Sequence, residues 1–269
     1  MTTFEAIVLG LVQGLTEFLP VSSTGHLVFL HSIFGLNGVT ALSFDAVLHL
    51  ATAGAVIVYF WGDVVMLLNT ARRKVSRLPV NERDYNLLLA LLIGTVPAVI
   101  FGLLLENIMA TLFRSPILVA TVLIVGSFLF VLAEWKYLHS KRGKIITIKT
   151  GLLIGLFQCL ALVPGMSRSG ATISGGMLLG LSREESARFA FLLAIPIILG
   201  AGSKKMLELM TSSEAVSWFA VAAGAATAFF AGLAAIHFML SFVRRYSLWP
   251  FIWYRVILAT VVIVLVTIS

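Results

Sequence analysis

Pro20 and Pro164 each interrupt an apolar stretch long enough to enter a lipid bilayer. A proline inside a helix removes one backbone hydrogen bond and clashes with the preceding turn. Backbone that leaves the helix at membrane depth survives only where protein or a water-filled cavity covers it. The chain is therefore expected to break at both prolines and to enclose both breaks. The residues around them are polar. The first string runs from Gln13 through Glu17, Pro20, Ser22, Ser23, Thr24 and Gly25 to His26, and the second from Gln158 through Pro164, Gly165, Ser167, Arg168, Ser169 and Gly170 to Thr172. Polar and ionisable groups at membrane depth are costly, which makes them functional candidates.

The rest of the chain is apolar. Only 12% of its 269 residues are charged, against about 25% in a soluble domain. Stretches at 44–67, 86–106, 116–135, 186–207, 216–240 and 249–268 read as spanning helices, which need roughly 20 apolar residues. Strand-type alternation is absent, which argues against a β-barrel. The net charge of +7 does not point to nucleic acid. Arg72, Arg73, Lys74, Arg77 and Arg83 are expected in one short loop, Lys136, Lys141, Arg142, Lys144 and Lys149 in another, and Arg244 and Arg245 in a third. That is the positive-inside pattern of a cytoplasmic-membrane protein. Glu5, Gln13 and Glu17 argue against a cleaved signal peptide. Cys159, alone, excludes an internal disulfide.

With these loops inside, the segments 4–34 and 149–181 become re-entrant hairpins, the first entering from outside and the second from the cytoplasm. The halves 1–140 and 147–269 then have opposite orientation within a single membrane domain. Gly10-Leu-Val-Gln13 matches Gly155-Leu-Phe-Gln158, and Pro20-x-x-Ser23 matches Pro164-x-x-Ser167. The expected fold is an all-α integral membrane protein, with six transmembrane helices and two re-entrant helical hairpins in an inverted-topology repeat. Broken helices meeting near the midplane are a transporter architecture.

The contents of the strings point to chemistry. Gln13 and Glu17 are four residues apart and share a helical face. Ser22, Ser23 and Thr24 follow the proline, and His26 stands on the same side of a following helix as Ser23. A serine beside a histidine is a nucleophile and base in principle, and Glu17 could orient the histidine or bind a cation. In the second string, Arg168 and the hydroxyls of Ser167, Ser169 and Thr172 open a helix. Helix N-termini bind phosphate, and an Arg fork matches its oxygens. Together these are the parts of a phosphoryl-transfer site. A lone Ser or Gln in a membrane helix more commonly bonds a backbone carbonyl or a neighbouring helix; the clustering carries the reading. Elsewhere, Asp45 and His49 read as capping or water-facing, and Pro97 as a kink. Trp249, Trp253 and Tyr254 read as an interfacial belt with Arg255 snorkelling beside them. Ser182 with Glu185 reads as a capping box.

At these residues the chain resembles the undecaprenyl-diphosphate phosphatase family of the bacitracin-resistance type. One signature is Glu/Gln-x-x-x-Glu followed by Pro-x-Ser-Ser-Thr-Gly-His, matched by Gln13, Glu17, Pro20, Ser22, Ser23, Thr24, Gly25 and His26. The other is Pro-Gly-x-Ser-Arg-Ser-x-x-Thr, matched by Pro164, Gly165, Ser167, Arg168, Ser169 and Thr172. Gln13 stands where many members carry Glu, which removes one carboxylate. The resemblance implies hydrolysis of undecaprenyl diphosphate to undecaprenyl phosphate and phosphate, recycling the carrier lipid of cell-wall synthesis. It also implies a bacterial inner-membrane site that opens outward. Ser23 is expected to attack, with His26 managing protons and Arg168 and Thr172 holding phosphate. Glu17 with Gln13 is expected to hold Mg²⁺ or Ca²⁺, or to orient His26. The expected partners are the polyprenyl diphosphate and the bilayer, with no nucleic acid and a homodimer allowed. The alternative is an inverted-repeat transporter or polyprenyl-phosphate flippase, which would move lipid without hydrolysis. The other large class of membrane lipid phosphatases does not fit, because Ser174 stands where its nucleophilic His belongs.

Overall fold

The computed structural model describes residues 1–36, 39–105, 115–139, 143–211 and 217–268. Lys141 and Arg142 of the second expected basic loop lie outside them. Among the described residues the chain is all helix, without strands. The helices are α1 (Thr3–Phe18), α2 (Ser23–Phe34), α3 (Val39–Tyr59), α4 (Trp61–Val75), α5 (Glu82–Leu104), α6 (Pro116–His139), α7 (Ile148–Cys159), α8 (Arg168–Leu178), α9 (Arg183–Thr211), α10 (Trp218–Arg245) and α11 (Trp249–Ile268). Five of them, α5, α6, α9, α10 and α11, are long and apolar enough to cross a membrane.

A sixth crossing would need α3 and α4 together, and these meet at an angle of 83°. The expected straight helix over 44–67 is thus broken at Phe60, whose φ of −101° and ψ of 30° leave the helical region. No proline marks the bend. α4 continues past Leu67, so Arg72, Arg73 and Lys74 form its last turn rather than a loop. Cations there complement the negative end of the helix dipole.

The two proline breaks fall where expected. Leu19 and Val163, each preceding a proline, adopt extended backbone (ψ of 140° and 116°), the conformation that the proline ring imposes on its predecessor. α1 begins with a Thr2–Glu5 capping box and ends at this barrier. α7 runs into a short 3-10 turn, Leu160–Leu162, before its own. By contrast Pro97 and Pro196 lie inside α5 and α9, which continue through them.

The packing pairs the halves crosswise. α1 lies along α10, and α7 lies along α5; α3 packs on α9 and α10, and α6 on α11. Both crosswise contacts pass through glycine. A methyl on Gly10 would lie 3.0 Å from the Gly224 carbonyl carbon, and one on Gly155 2.8 Å from the Gly94 backbone. Small residues let membrane helices approach this closely. The large apolar core forms around Phe18, Phe60, Ile154, Phe189 and Phe191, with Phe18 edge-on to Phe191 at 5.3 Å. Charged pairs tie the helix ends. Arg183 bonds the buried Glu134, which also accepts from the Leu248 amide at 2.7 Å. Arg188 pairs with Asp63, and Arg244 with Glu184. Ser182 and Glu185 form both bonds of the expected capping box.

Candidate active site

The two breaks are built alike. Ser22 caps α2 and Ser167 caps α8, each with φ of 72°. The Ser22 hydroxyl accepts from the Gly25 amide, and the Ser167 hydroxyl accepts from the Gly170 amide. A positive φ on a residue with a side chain is a sparsely populated state costing about 1–3 kcal/mol, and such states concentrate at functional sites. The backbone therefore aligns Ser22 with Ser167, one residue away from the Pro20-to-Pro164 register read in the sequence. In this register the Gly10 and Gly155, Gln13 and Gln158, Ser22 and Ser167, and Gly25 and Gly170 pairs share one offset. Ser23 then stands opposite Arg168. The cap follows the turn rather than the proline, which is why the prolines misled.

Glu17 is the hub of the site. It is buried near the end of α1. Its carboxylate accepts from Gln13 Nε2 at 2.8 Å and from Ser23 Oγ at 2.7 Å, and it pairs with the Arg168 guanidinium from the other break. His49 on α3 completes the ring. Its Nδ1 lies 2.8 Å from Gln13 Nε2 and 3.2 Å from Glu17 Oε2. The sequence reading missed His49 because a single His in an apolar helix carries no local pattern. The structure thus brings Gln13, Glu17, Ser23 and Arg168 into one bonded cluster.

The remaining candidates are placed differently. His26 does not bond Ser23. Its Nδ1 is 2.8 Å from the Ser22 carbonyl, and its Nε2 is 2.7 Å from the Tyr254 hydroxyl, whose ring stacks on the imidazole. Ser169 donates to the Leu19 carbonyl at 3.1 Å, tying the second break to the first, and lies 3.2 Å from Ser167 Oγ. Thr172 is fully buried and donates to the carbonyl of Arg168 at 2.7 Å. Thr24 is exposed. Gln158, the counterpart of Gln13, is buried with neither amide atom bonded, so it is not interhelical glue.

The arrangement can bind an anion and move a proton. α8 begins at Arg168, so its first amides have no partner within the helix and carry the positive end of its dipole. Arg168 stands at that start. Ser23, with its proton already directed at a carboxylate, is set to act as a nucleophile. A resident divalent cation does not fit the donor set. No group of three or more His, Cys, Asp or Glu side chains converges among the described residues. Both Glu17 oxygens are taken by protein donors, which leaves Gln13 Oε1 as the buried, unbonded oxygen of this cluster. Mg²⁺ and Ca²⁺ need about six or more oxygens.

The expectation of Arg255 snorkelling to the interface is overturned: it is fully buried. Its position, several residues inside an apolar helix, was the available signal.

Residues 6–261 match the family model described as Bacitracin resistance protein BacA. Curated relatives carry the name undecaprenyl-diphosphatase. One from Mycolicibacterium vanbaalenii is 42% identical over 273 residues, covering 99% of this chain and 98% of its own. One from Renibacterium salmoninarum is 38% identical over 270 residues, covering 98% and 96%. One from Myxococcus xanthus is 41% identical over 266 residues, covering 98% and 89%. The match runs through both breaks and all the helices that carry the Glu17 cluster, and the chain belongs to the Bacitracin resistance protein BacA family.

Proposed function

We propose that this chain is a membrane undecaprenyl-diphosphatase, releasing inorganic phosphate from undecaprenyl diphosphate and leaving undecaprenyl phosphate for reuse in cell-wall synthesis. The observation that carries the reading is the bonded trio of Ser23, Glu17 and Arg168, drawn from two separate breaks. The names of the full-length relatives agree with it.

In this reading the diphosphate lies against the start of α8. Arg168 turns from Glu17 to the terminal phosphate, where its fork matches two oxygens. Ser23 Oγ attacks the terminal phosphorus while its proton passes to Glu17, at 2.7 Å. The bridging P–O bond breaks and undecaprenyl phosphate leaves. Glu17 hands that proton on to the departing undecaprenyl phosphate and, as a carboxylate again, takes a proton from the water that cleaves the phosphoserine and returns it to Ser23 Oγ, giving phosphate and free Ser23. The geometry favours Glu17 over His26 as the proton acceptor, because both His26 nitrogens have other partners. His26 instead fixes the start of α2. If a divalent cation such as Mg²⁺ or Ca²⁺ is required, the diphosphate oxygens would hold most of its coordination, Gln13 Oε1 would be the unbonded oxygen of the Glu17 cluster, and the ion would supply charge neutralisation of the diphosphate.

The membrane arrangement proposed is six crossings, counting bent α3–α4 as one, with α1–α2 and α7–α8 as re-entrant hairpins of an inverted repeat spanning 1–140 and 147–269. The crosswise packing of α1 on α10 and α7 on α5 supports it. So do the glycine contacts at equivalent positions and the matching caps. The site is proposed to open to the outer face of the bacterial cytoplasmic membrane, with the basic ends of α4, α6 and α10 inside. A homodimer is compatible with this arrangement. The test is phosphate release from undecaprenyl diphosphate by purified protein in nanodiscs, with and without EDTA. The proposal expects turnover, lost in Ser23→Ala. Lipid movement without phosphate release would favour the transporter class instead.

A further inference from the structure

Arg255 is the largest fully buried side chain among the described residues. A buried charge is expensive unless its hydrogen bonds are satisfied, and a guanidinium has five N–H donors to place. Here they go to neutral acceptors. Nε donates to the Leu123 carbonyl at 3.2 Å and to Ser127 Oγ at 3.1 Å. Nη1 donates to the carbonyls of Pro20 at 3.5 Å and Met166 at 3.1 Å. Nη2 donates to the carbonyls of Leu123 at 3.0 Å and Gly165 at 3.1 Å. The Phe130 ring lies against the guanidinium, 4.8 Å away. One side chain on α11 therefore holds α6, the first break and the second break at once.

The carbonyls it takes from the breaks are not arbitrary. Pro20 and Gly165 are equivalent in the register set by the two serine caps, so one guanidinium grips the same peptide of both turns. Met166 immediately precedes Ser167, the residue with φ of 72°. In a trans peptide the carbonyl and the following N–H point in opposite directions. Holding the Met166 carbonyl thus turns the Ser167 amide away from Arg255 and fixes the peptide plane from which α8 and Arg168 start. Pro20 stands two residues before the Ser22 cap, as Gly165 stands two residues before Ser167. α6 has made room for this group: a methyl on Gly126 would run into Nη2 and lie 3.0 Å from Met166 Sδ.

We propose that Arg255 is a positioning residue for the reaction, clamping the two breaks into one unit so that Ser23 and Arg168 are held in register. This rests on the reading above of Ser23 and Arg168 as the reacting pair. A lysine cannot replace it, since a single ammonium cannot reach carbonyls on three elements as a planar fork does.

The experiment compares Arg255→Lys and Gly126→Ala with wild type in one detergent. The second variant leaves every polar group in place and presses on the guanidinium and on Met166 beside it. The measurements are kcat and KM for undecaprenyl diphosphate, and amide hydrogen exchange across 19–26 and 163–170. A displacement of the order of 1 Å costs about 10²-fold, so kcat should fall by about that much in Arg255→Lys, with KM changed by less than about threefold. Exchange should quicken in both turns together by about tenfold or more, while α5 and α10 keep wild-type protection. Gly126→Ala should shift both measurements in the same direction. The clamp is overturned by near-wild-type kcat in both variants, by faster exchange in one turn only, or by general loosening of the fold. It is also overturned if neither variant yields folded protein, which would assign Arg255 to folding. Should wild type release no phosphate, the reading of the reaction fails, while the paired exchange of the two turns still decides the clamp.

Discussion

Glu17→Gln separates catalysis from binding at the hub of the cluster. The change keeps the size of the side chain and removes its charge. Three consequences follow from the geometry. Ser23, 2.7 Å from the carboxylate, loses its proton acceptor; general-base catalysis is worth about 10² to 10⁴-fold, or about 3–5.5 kcal/mol of barrier. Arg168 loses its partner and is free to meet phosphate before the substrate arrives. The diphosphate no longer faces a carboxylate. The last two effects favour ground-state binding, so KM should hold or fall while kcat drops at least about a hundredfold. The folding cost is limited, because Arg168 keeps 20% of its side chain in contact with solvent. The assay is steady-state phosphate release from undecaprenyl diphosphate in nanodiscs, alongside thermal unfolding to confirm a folded variant. A Glu17→Gln protein with kcat within about tenfold of wild type, or with raised KM and unchanged kcat, would refute the assignment of Glu17 as base.

Other substitutions probe the support around the hub. His49→Phe keeps a ring but removes the nitrogen that meets Gln13 and Glu17; a hydrogen bond to a charged group is worth about 1.5–3 kcal/mol, so kcat should fall roughly 10 to 100-fold in the same assay. Gly155→Ala and Gly10→Ala place a methyl against the backbone of α5 and α10 respectively; overpacking costs about 1–3 kcal/mol, and both should lower the unfolding temperature in detergent. Glu134→Gln breaks the buried pair with Arg183 and weakens the bond to the Leu248 amide; loss of one partner of a buried pair costs about 3–5 kcal/mol, seen as a lower unfolding temperature with KM unchanged.

The parts of the site that could be read from the sequence are those where polarity was out of place. Glu17, Ser23 and Arg168 stood out because an apolar segment has no other use for them at such density. The breaks were legible because Pro20 and Pro164 act on Leu19 and Val163 directly. The roles of His49 and Arg255 were not legible, because they come from contacts with residues far along the chain, although the depth of Arg255 in an apolar helix was a signal of its burial. His49 meets Gln13 from another helix, and Arg255 meets Pro20 across most of the chain. The bend at Phe60 had no proline to announce it. The pairing of Ser23 with His26 assumed that neighbours on a helix face find each other. Here Tyr254 on α11 takes one imidazole nitrogen and the Ser22 carbonyl the other.

The central claim is that Ser23 on the first break and Arg168 on the second act as a single site. A double-mutant cycle in turnover tests it most directly, measuring undecaprenyl diphosphate hydrolysis by Ser23→Ala, Arg168→Ala and the combined variant. Residues that work as a unit are strongly non-additive. The account predicts that each single change removes most of the activity and that the double variant is no slower than the slower single one. Additive losses, or wild-type turnover in Ser23→Ala, would contradict it.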